Sequence, residues 1–207
     1  MNTDFKLDMT MMLLFHHALR RDLELVATMT DRTEGWDRFA KLLHLHHSAE
    51  DEALWPVLRT SLAGQPENLA LIDEMEAQHA ALGPLLDAIE GSLDGGAPAP
   101  RARAELGTLL TEHLADEEAR ALPLIDRTLG EEEWMQFGQA SAATIAPDMP
   151  IVVPWMLDGA DDDCAKRVLG LLPEPAQQTY WNEWQPAYAA KNSWGSSAVA
   201  PRSRTPE

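Results

Sequence analysis

The stretch "LLHLHHSAEDEALWP", residues 42–56, sets three histidines and three carboxylates in a segment that otherwise reads as the buried side of a helix. Phe39, Leu42, His46, Glu50, Ala53 and Val57 recur in steps of three and four, which predicts one amphipathic helix over residues 34–60 with His46 and Glu50 on its inward face. A carboxylate facing an apolar interior costs several kcal/mol if it has no partner. Glu50 therefore implies that something cationic meets it.

Working outward, three more stripes have the same period. Met9, Met12, His16, Leu19, Leu23 and Val26 predict a first helix over residues 8–29. Leu69, Ile72, Met75, His79, Leu82, Leu86 and Ile89 predict a third that opens at Pro66 and is bent at Pro84. After the loop "GGAPAP", residues 95–100, Leu106, Leu110, His113, Glu117, Ala121 and Leu124 predict a fourth. Four helices with short loops predict an all-α fold, an up-down-up-down antiparallel four-helix bundle over residues 1–130.

Beyond Gly130 the texture changes. Trp134, Trp155, Trp181, Trp184 and Trp194, with prolines at 147, 150, 154, 173 and 175, predict a C-terminal extension of short helices over residues 131–192 that packs as a cap on the bundle. Trp181, Trp184 and Tyr188 are expected to form one apolar edge. Residues 193–207 read as a disordered tail.

The chain also repeats itself. A constant offset of 67 residues takes His46 to His113, Glu50 to Glu117 and Pro56 to Pro123, and "HHALRRDL" from His16 echoes "HAALGPLL" from His79. Each H-x-x-x-E pair is about 40° apart around its helix and about 6 Å apart along it, so both side chains reach one point. His16, His46, Glu50, His79, His113 and Glu117 thus converge with no inward Lys or Arg to balance the glutamates.

A pair of metal ions answers this arithmetic. Divalent cations neutralise carboxylates and take neutral imidazoles as ligands, and six ligands exceed what a closed tetrahedral zinc site uses. Glu50 and Glu117 would be shared between the two ions, with the histidines as terminal ligands. His17, His44 and His47 lie one step off their stripes and read as surface or supporting residues. Asp51 and Glu118 read as a solvated helix edge, the alternative being a hydrogen bond to a ligand histidine.

Composition excludes several classes. Asp and Glu outnumber Lys and Arg 34 to 16, a formal charge of −18, which repels nucleic acid and anionic membrane surfaces. Cys164 is the single cysteine, so no intramolecular disulfide forms; it reads as a packing residue and fits a reducing compartment. With neither a secretory n-region nor a span of membrane length, a cytoplasmic protein is expected.

The ordered series H…H-x-x-x-E…H…H-x-x-x-E on four helices, with a proline after each carboxylate, resembles the hemerythrin-like, HHE cation-binding domain over about residues 8–128. The extension is similar to C-terminal extensions of actinobacterial members. The resemblance implies a non-haem di-iron centre, two iron ions (Fe2+/Fe3+) held by the six residues and bridged by an oxo or hydroxo group and both glutamates. It differs from the oxygen-carrying hemerythrins, which have a second histidine where this chain has Met75, leaving a coordination position to solvent or to Glu76. Their last motif also has a longer spacing, to an aspartate. These departures turn the expectation from oxygen carriage toward reaction with small oxidants: catalase-like peroxide breakdown, or nitric oxide or dioxygen binding. The alternatives are an oxygen, nitric oxide or iron sensing or storage module without turnover, and a structural zinc or manganese site. A homo-oligomer, if formed, would use the extension.

Overall fold

In the computed structural model, which describes residues 5–195, α1 (Thr10–Val26) buries Met12, His16, Leu19, Leu23 and Val26, the stripe read from the sequence. Thr33 caps α2 (Glu34–Ala49) by accepting the Trp36 N–H at 3.1 Å. Glycines with left-handed backbone, Gly64 (φ +85°) and Gly95 (φ +93°), reverse the chain ahead of α4 (Pro66–Leu93) and α5 (Pro100–Asp116). α4 runs unbroken through Pro84, which lies on an exposed side.

Neither α2 nor α5 stops at its glutamate. α2 passes through a π-helical turn, Glu50–Leu54, into α3 (Trp55–Ser61), and α5 passes through Glu117–Ala121 into α6 (Leu122–Thr128). A third π turn, Tyr180–Trp184, lies in the extension. Each is followed two residues later by a proline: Pro56, Pro123 and Pro186. A proline ring has no N–H to donate and collides with the carbonyl four residues back, and at these three places a widened turn relieves it, whereas α4 and α8 pass Pro84 and Pro154 without one.

The extra residue moves the buried face past the first and third π turns, while past Glu117 the expected Ala121 and Leu124 stay buried. Beyond Glu50 the sequence spacing places Ala53 and Val57 inward, but Leu54 and Leu58 are the buried pair, at 1% and 0% exposure, and Val57 is exposed at 38%. The same shift corrects the expected edge in the extension. Tyr180, Trp184 and Tyr188 face the core, while Trp181 is 60% exposed and rests edge-on against Tyr180.

Apolar side chains form two clusters with a polar layer between them. Leu19, Leu42, Leu82 and Leu110 belong to one; Met12, Leu54, Met75 and Ala121 belong to the other. On α1 the order is Met12, His16, Leu19, and on α4 it is Met75, His79, Leu82; α2 and α5 meet the clusters in the reverse order, with His46 and His113 in the same layer.

The extension is built from α7 (Glu131–Ile145), a 3-10 turn at Ala146–Asp148, α8 (Met149–Leu157), α9 (Asp162–Gly170), α10 (Glu174–Thr179) and α11 (Gln185–Ala190). α7 packs along α2 and α8 along α1, so Val152, Trp155 and Met156 enter the same cluster as Leu19 and Phe39. Asp22, 1% exposed, ties them together: its carboxylate accepts from Trp155 Nε1 at 2.8 Å, Arg38 Nη2 at 3.1 Å and Arg21 Nη2 at 3.2 Å.

The segment expected to be disordered begins otherwise. The Gly35 N–H donates to the Ser193 carbonyl at 2.6 Å, and Trp194 is buried over Gly35, where any Cβ would meet its ring. The rest of that expectation, residues 196–207, lies outside the described residues. Among the described residues all regular structure is helical, and no helix is long and apolar enough to cross a membrane.

Candidate metal centre

The polar layer collects the residues singled out by their spacing. His16 of α1, His46 of α2, Glu50 and Glu117 each bring one ligand atom within 4.8 Å of the others. His79 of α4 and His113 of α5 form a second such group, together with His47. Both glutamates begin a π turn and both are 0% exposed. Widening the helix at that point lets the carboxylate and the histidine one turn earlier face inward while the leucines beyond remain in the core.

The histidine tautomers decide what the second group can hold. His79 Nδ1 lies 2.8 Å from Asp51 Oδ1, and an ionised carboxylate only accepts, so Nδ1 carries the proton. Gln78 donates its Nε2 to Asp116 Oδ2 at 3.1 Å, which turns Gln78 Oε1 toward His113 Nδ1 at 2.9 Å as an acceptor. With both Nδ1 atoms engaged outward, the two Nε2 atoms face each other at 3.2 Å. Two lone pairs at that distance repel, so a proton or a metal cation must stand between or beside them.

The first group mirrors it. His16 Nδ1 donates to Glu118 Oε1 at 3.0 Å, and its Nε2 points at His46 Nε2 (3.0 Å) and Glu117 Oε2 (3.2 Å). Arg20 Nη1 holds the same Glu118 oxygen at 2.6 Å. Asp51 and Glu118, expected along a solvated helix edge, are indeed 41% and 29% exposed at the side chain, yet each also orients a histidine. Departures from the repeat sit at its other positions: where Gln78 fixes His113, Phe15 instead stacks on His46 with ring centroids 4.8 Å apart.

Charge in this layer is out of balance. Glu50 Oε1 and Oε2 and His47 Nε2 are buried without a hydrogen-bond partner, an arrangement that is expensive in an apolar interior, and Glu117 Oε2 has an ion-pair contact with His16 Nε2 at 3.2 Å. Burial, reinforced by the neighbouring Glu117, raises the Glu50 carboxyl well above the usual range. His16 shows the opposite balance: burial alone would lower it, but the Glu117 and Glu118 carboxylates outweigh this and hold it up at about 9. Burial dominates for His46 and His47, which are lowered well below the ordinary value, and for His113, lowered to about 4. Without a metal, protons on Glu50 and His16 take up the anionic charge; imidazoles and buried carboxylates that release those protons are the donor set that divalent first-row metals bind.

His47 takes the supporting alternative of the sequence reading and not the surface one. It is 7% exposed and stacks on His79 with centroids 4.0 Å apart and planes 9° apart, rather than lying at the surface as His17 and His44 do. The buried face of α2 is two columns wide, since Leu42 and Leu43 are both buried, and Leu43, His47, Glu50 and Leu54 form a second stripe of the same period. Reading α2 for one column alone hid it. Glu76 is not drawn toward the layer: Arg59 Nη2 holds it at 2.6 Å and also holds Asp73, while Met75 is buried among apolar side chains.

A family model described as Hemerythrin HHE cation binding domain matches residues 8–125. No curated protein and no solved structure matches the chain. The matched span contains both ligand groups and ends before the extension that carries Trp155.

Proposed function

The chain belongs to the hemerythrin HHE cation-binding domain family, and from that premise we propose that it is a non-haem di-iron protein that reacts with small oxidants. The observation that carries the reading is the pair of Nε2 atoms of His79 and His113, facing each other at 3.2 Å beside the fully buried carboxylates of Glu50 and Glu117. One ion would be held by His16 and His46, the other by His47, His79 and His113, with Glu50 and Glu117 shared. Seven donors divided this way leave room for an exogenous ligand. Iron, when bound, supplies a one-electron couple open to hydrogen peroxide, nitric oxide or dioxygen.

The protein's own contribution is preparation. Asp51, Glu118 and Gln78 hold the Nδ1 protons and so keep Nε2 of three rings aimed inward. Apolar clusters above and below exclude water from the carboxylates. The alternating order in which α1, α2, α4 and α5 meet the two clusters supports an up-down-up-down bundle over residues 1–130, with residues 131–192 as its cap. Trp181 and Leu171, 60% and 67% exposed, are where a second copy would associate. The single cysteine supports a reducing, cytoplasmic setting.

Elemental analysis of full-length protein purified without added metal tests the reading. Two iron ions per chain are expected, with peroxide or nitric oxide removal faster than by free iron. One metal per chain, or a filled site of zinc or manganese, overturns it.

A further inference from the structure

Two tryptophans flank the polar layer, and they are chemically unequal. On one side Phe15 bridges His46 and Trp155, its ring 4.8 Å from the first and 4.9 Å from the second. On the other, Trp55 lies 6.3 Å from His79. Both indoles are fully buried. Trp155 Nε1 donates to Asp22 Oδ2 at 2.8 Å, whereas Trp55 Nε1 is buried with no partner.

That difference decides which ring can be oxidised. Removing an electron from an indole makes its N–H strongly acidic. A buried radical cation with no proton acceptor bears the full cost of an isolated charge in apolar surroundings, and this is the situation of Trp55. Trp155 can pass its proton along an existing hydrogen bond and remain neutral. Arg21 lies 5.9 Å from the Trp155 ring centroid, which disfavours a persisting positive charge on the ring and adds to the drive for proton loss. Arg21 and Arg38 keep the Asp22 carboxylate in place to receive it.

We propose that Trp155 is a redox-active residue of this protein, an internal electron donor joined to His46 through Phe15, with Asp22 as its proton acceptor. The proposal rests on the di-iron reading above. Hydrogen peroxide takes two electrons and two protons to become two waters. Where iron supplies one electron, Trp155 supplies the other across the Phe15 contact. Its Nε1 proton goes to Asp22 Oδ2, and the two protons consumed by peroxide come from solvent. The result is a neutral indolyl radical in the extension, away from the ligands, which external reductant can refill. Trp155 lies outside the matched family span, so the redox-active ring is contributed by the extension to Phe15, His46 and Asp22 within the span.

The test adds hydrogen peroxide to iron(II)-loaded full-length protein, with iron content measured on the same sample. Freeze-quenched samples are examined by electron paramagnetic resonance with ring-deuterated tryptophan, and peptides by mass spectrometry. Expected are a neutral tryptophan radical in the native protein and in Trp55→Phe, its loss in Trp155→Phe, and a reduced yield in Asp22→Asn. In the native protein oxygen should be added at buried Trp155 ahead of Trp181, although Trp181 is 60% exposed; this peptide ratio stands even if a variant fails to fold. Damage by free oxidant would reverse the order. No radical, a radical that survives in Trp155→Phe, or preferential oxidation of Trp181 in protein carrying its iron overturns the relay and leaves the di-iron reading standing. Protein that takes up no iron overturns both.

Discussion

Asp51 and Glu118 stand 67 residues apart and do the same work: each carboxylate receives the Nδ1 proton of a histidine on another helix, His79 at 2.8 Å and His16 at 3.0 Å. The internal repeat therefore extends past the inner donors to the groups that orient them. Such partners fix the tautomer and raise the basicity of the coordinating nitrogen, and losing one costs about 10–100-fold in metal affinity. Asp51→Asn and Glu118→Gln should each weaken iron retention by about that factor, read by competition with a chelator. Native retention in both would mean that the two carboxylates are only a solvated edge.

Glu50 should trade stability for binding. Its carboxyl is raised well above 4.5 by burial and then by Glu117, so in the metal-free protein it destabilises the fold once pH exceeds the unfolded value near 4.5. Glu50→Gln removes that cost. Denaturant midpoints of metal-free protein should rise in the variant at neutral pH, match the native protein near pH 4, and be accompanied by loss of metal. A variant that is weaker without metal at neutral pH would contradict this electrostatic account.

Metal uptake should expel protons. In the metal-free protein His16 is held at about 9, first against burial and by virtue of Glu117 and Glu118, so it is charged at pH 7. A histidine raised in this way lends stability that is complete below the unfolded value of 6.5 and is lost as pH climbs through 9. The metal-free protein should accordingly lose stability between pH 7 and pH 9.5, while the loaded protein, with His16 already deprotonated, should not. Adding iron(II) at pH 7 in weak buffer should acidify an indicator dye; no proton release would place His16 outside the ligand set.

The stripes of α1, α4 and α5 were legible because an unmodified α-helix carries side chains at 3.6 per turn, and His16, His79, His113 and Glu117 stand where that period puts them. The reading slips at two of the three π turns, exchanging Ala53 and Val57 for Leu54 and Leu58, and Trp181 for Tyr180, whereas past Glu117 the expected Ala121 and Leu124 are both buried. Pro56, Pro123 and Pro186 each stand two residues past a π turn, but beyond Pro123's turn the expected face is kept, so proline marks the turn and not the shift. Trp194 over Gly35 could not be read from periodicity, since it depends on a glycine leaving room for a ring from the far end of the chain.

His47 gives the sharpest comparison between the two halves, because the repeat puts Leu114 at the equivalent position. Leu114 is fully buried, so the bundle already accommodates leucine in this register. His47→Leu deletes a buried Nε2 that has no partner, which should stabilise the metal-free protein by about 1–2 kcal/mol. It also deletes one of the three donors grouped with His79 and His113 while leaving His16, His46, Glu50 and Glu117 intact. The expected stoichiometry falls from two metals per chain to one, with the remaining ion lost only on further substitution of His16 or His46. Elemental analysis together with a thermal midpoint separates the possibilities. A stabilised variant that still carries two metals would make His47 a stacking support for His79, 4.0 Å away, and would leave the second ion to His79, His113 and the shared glutamates.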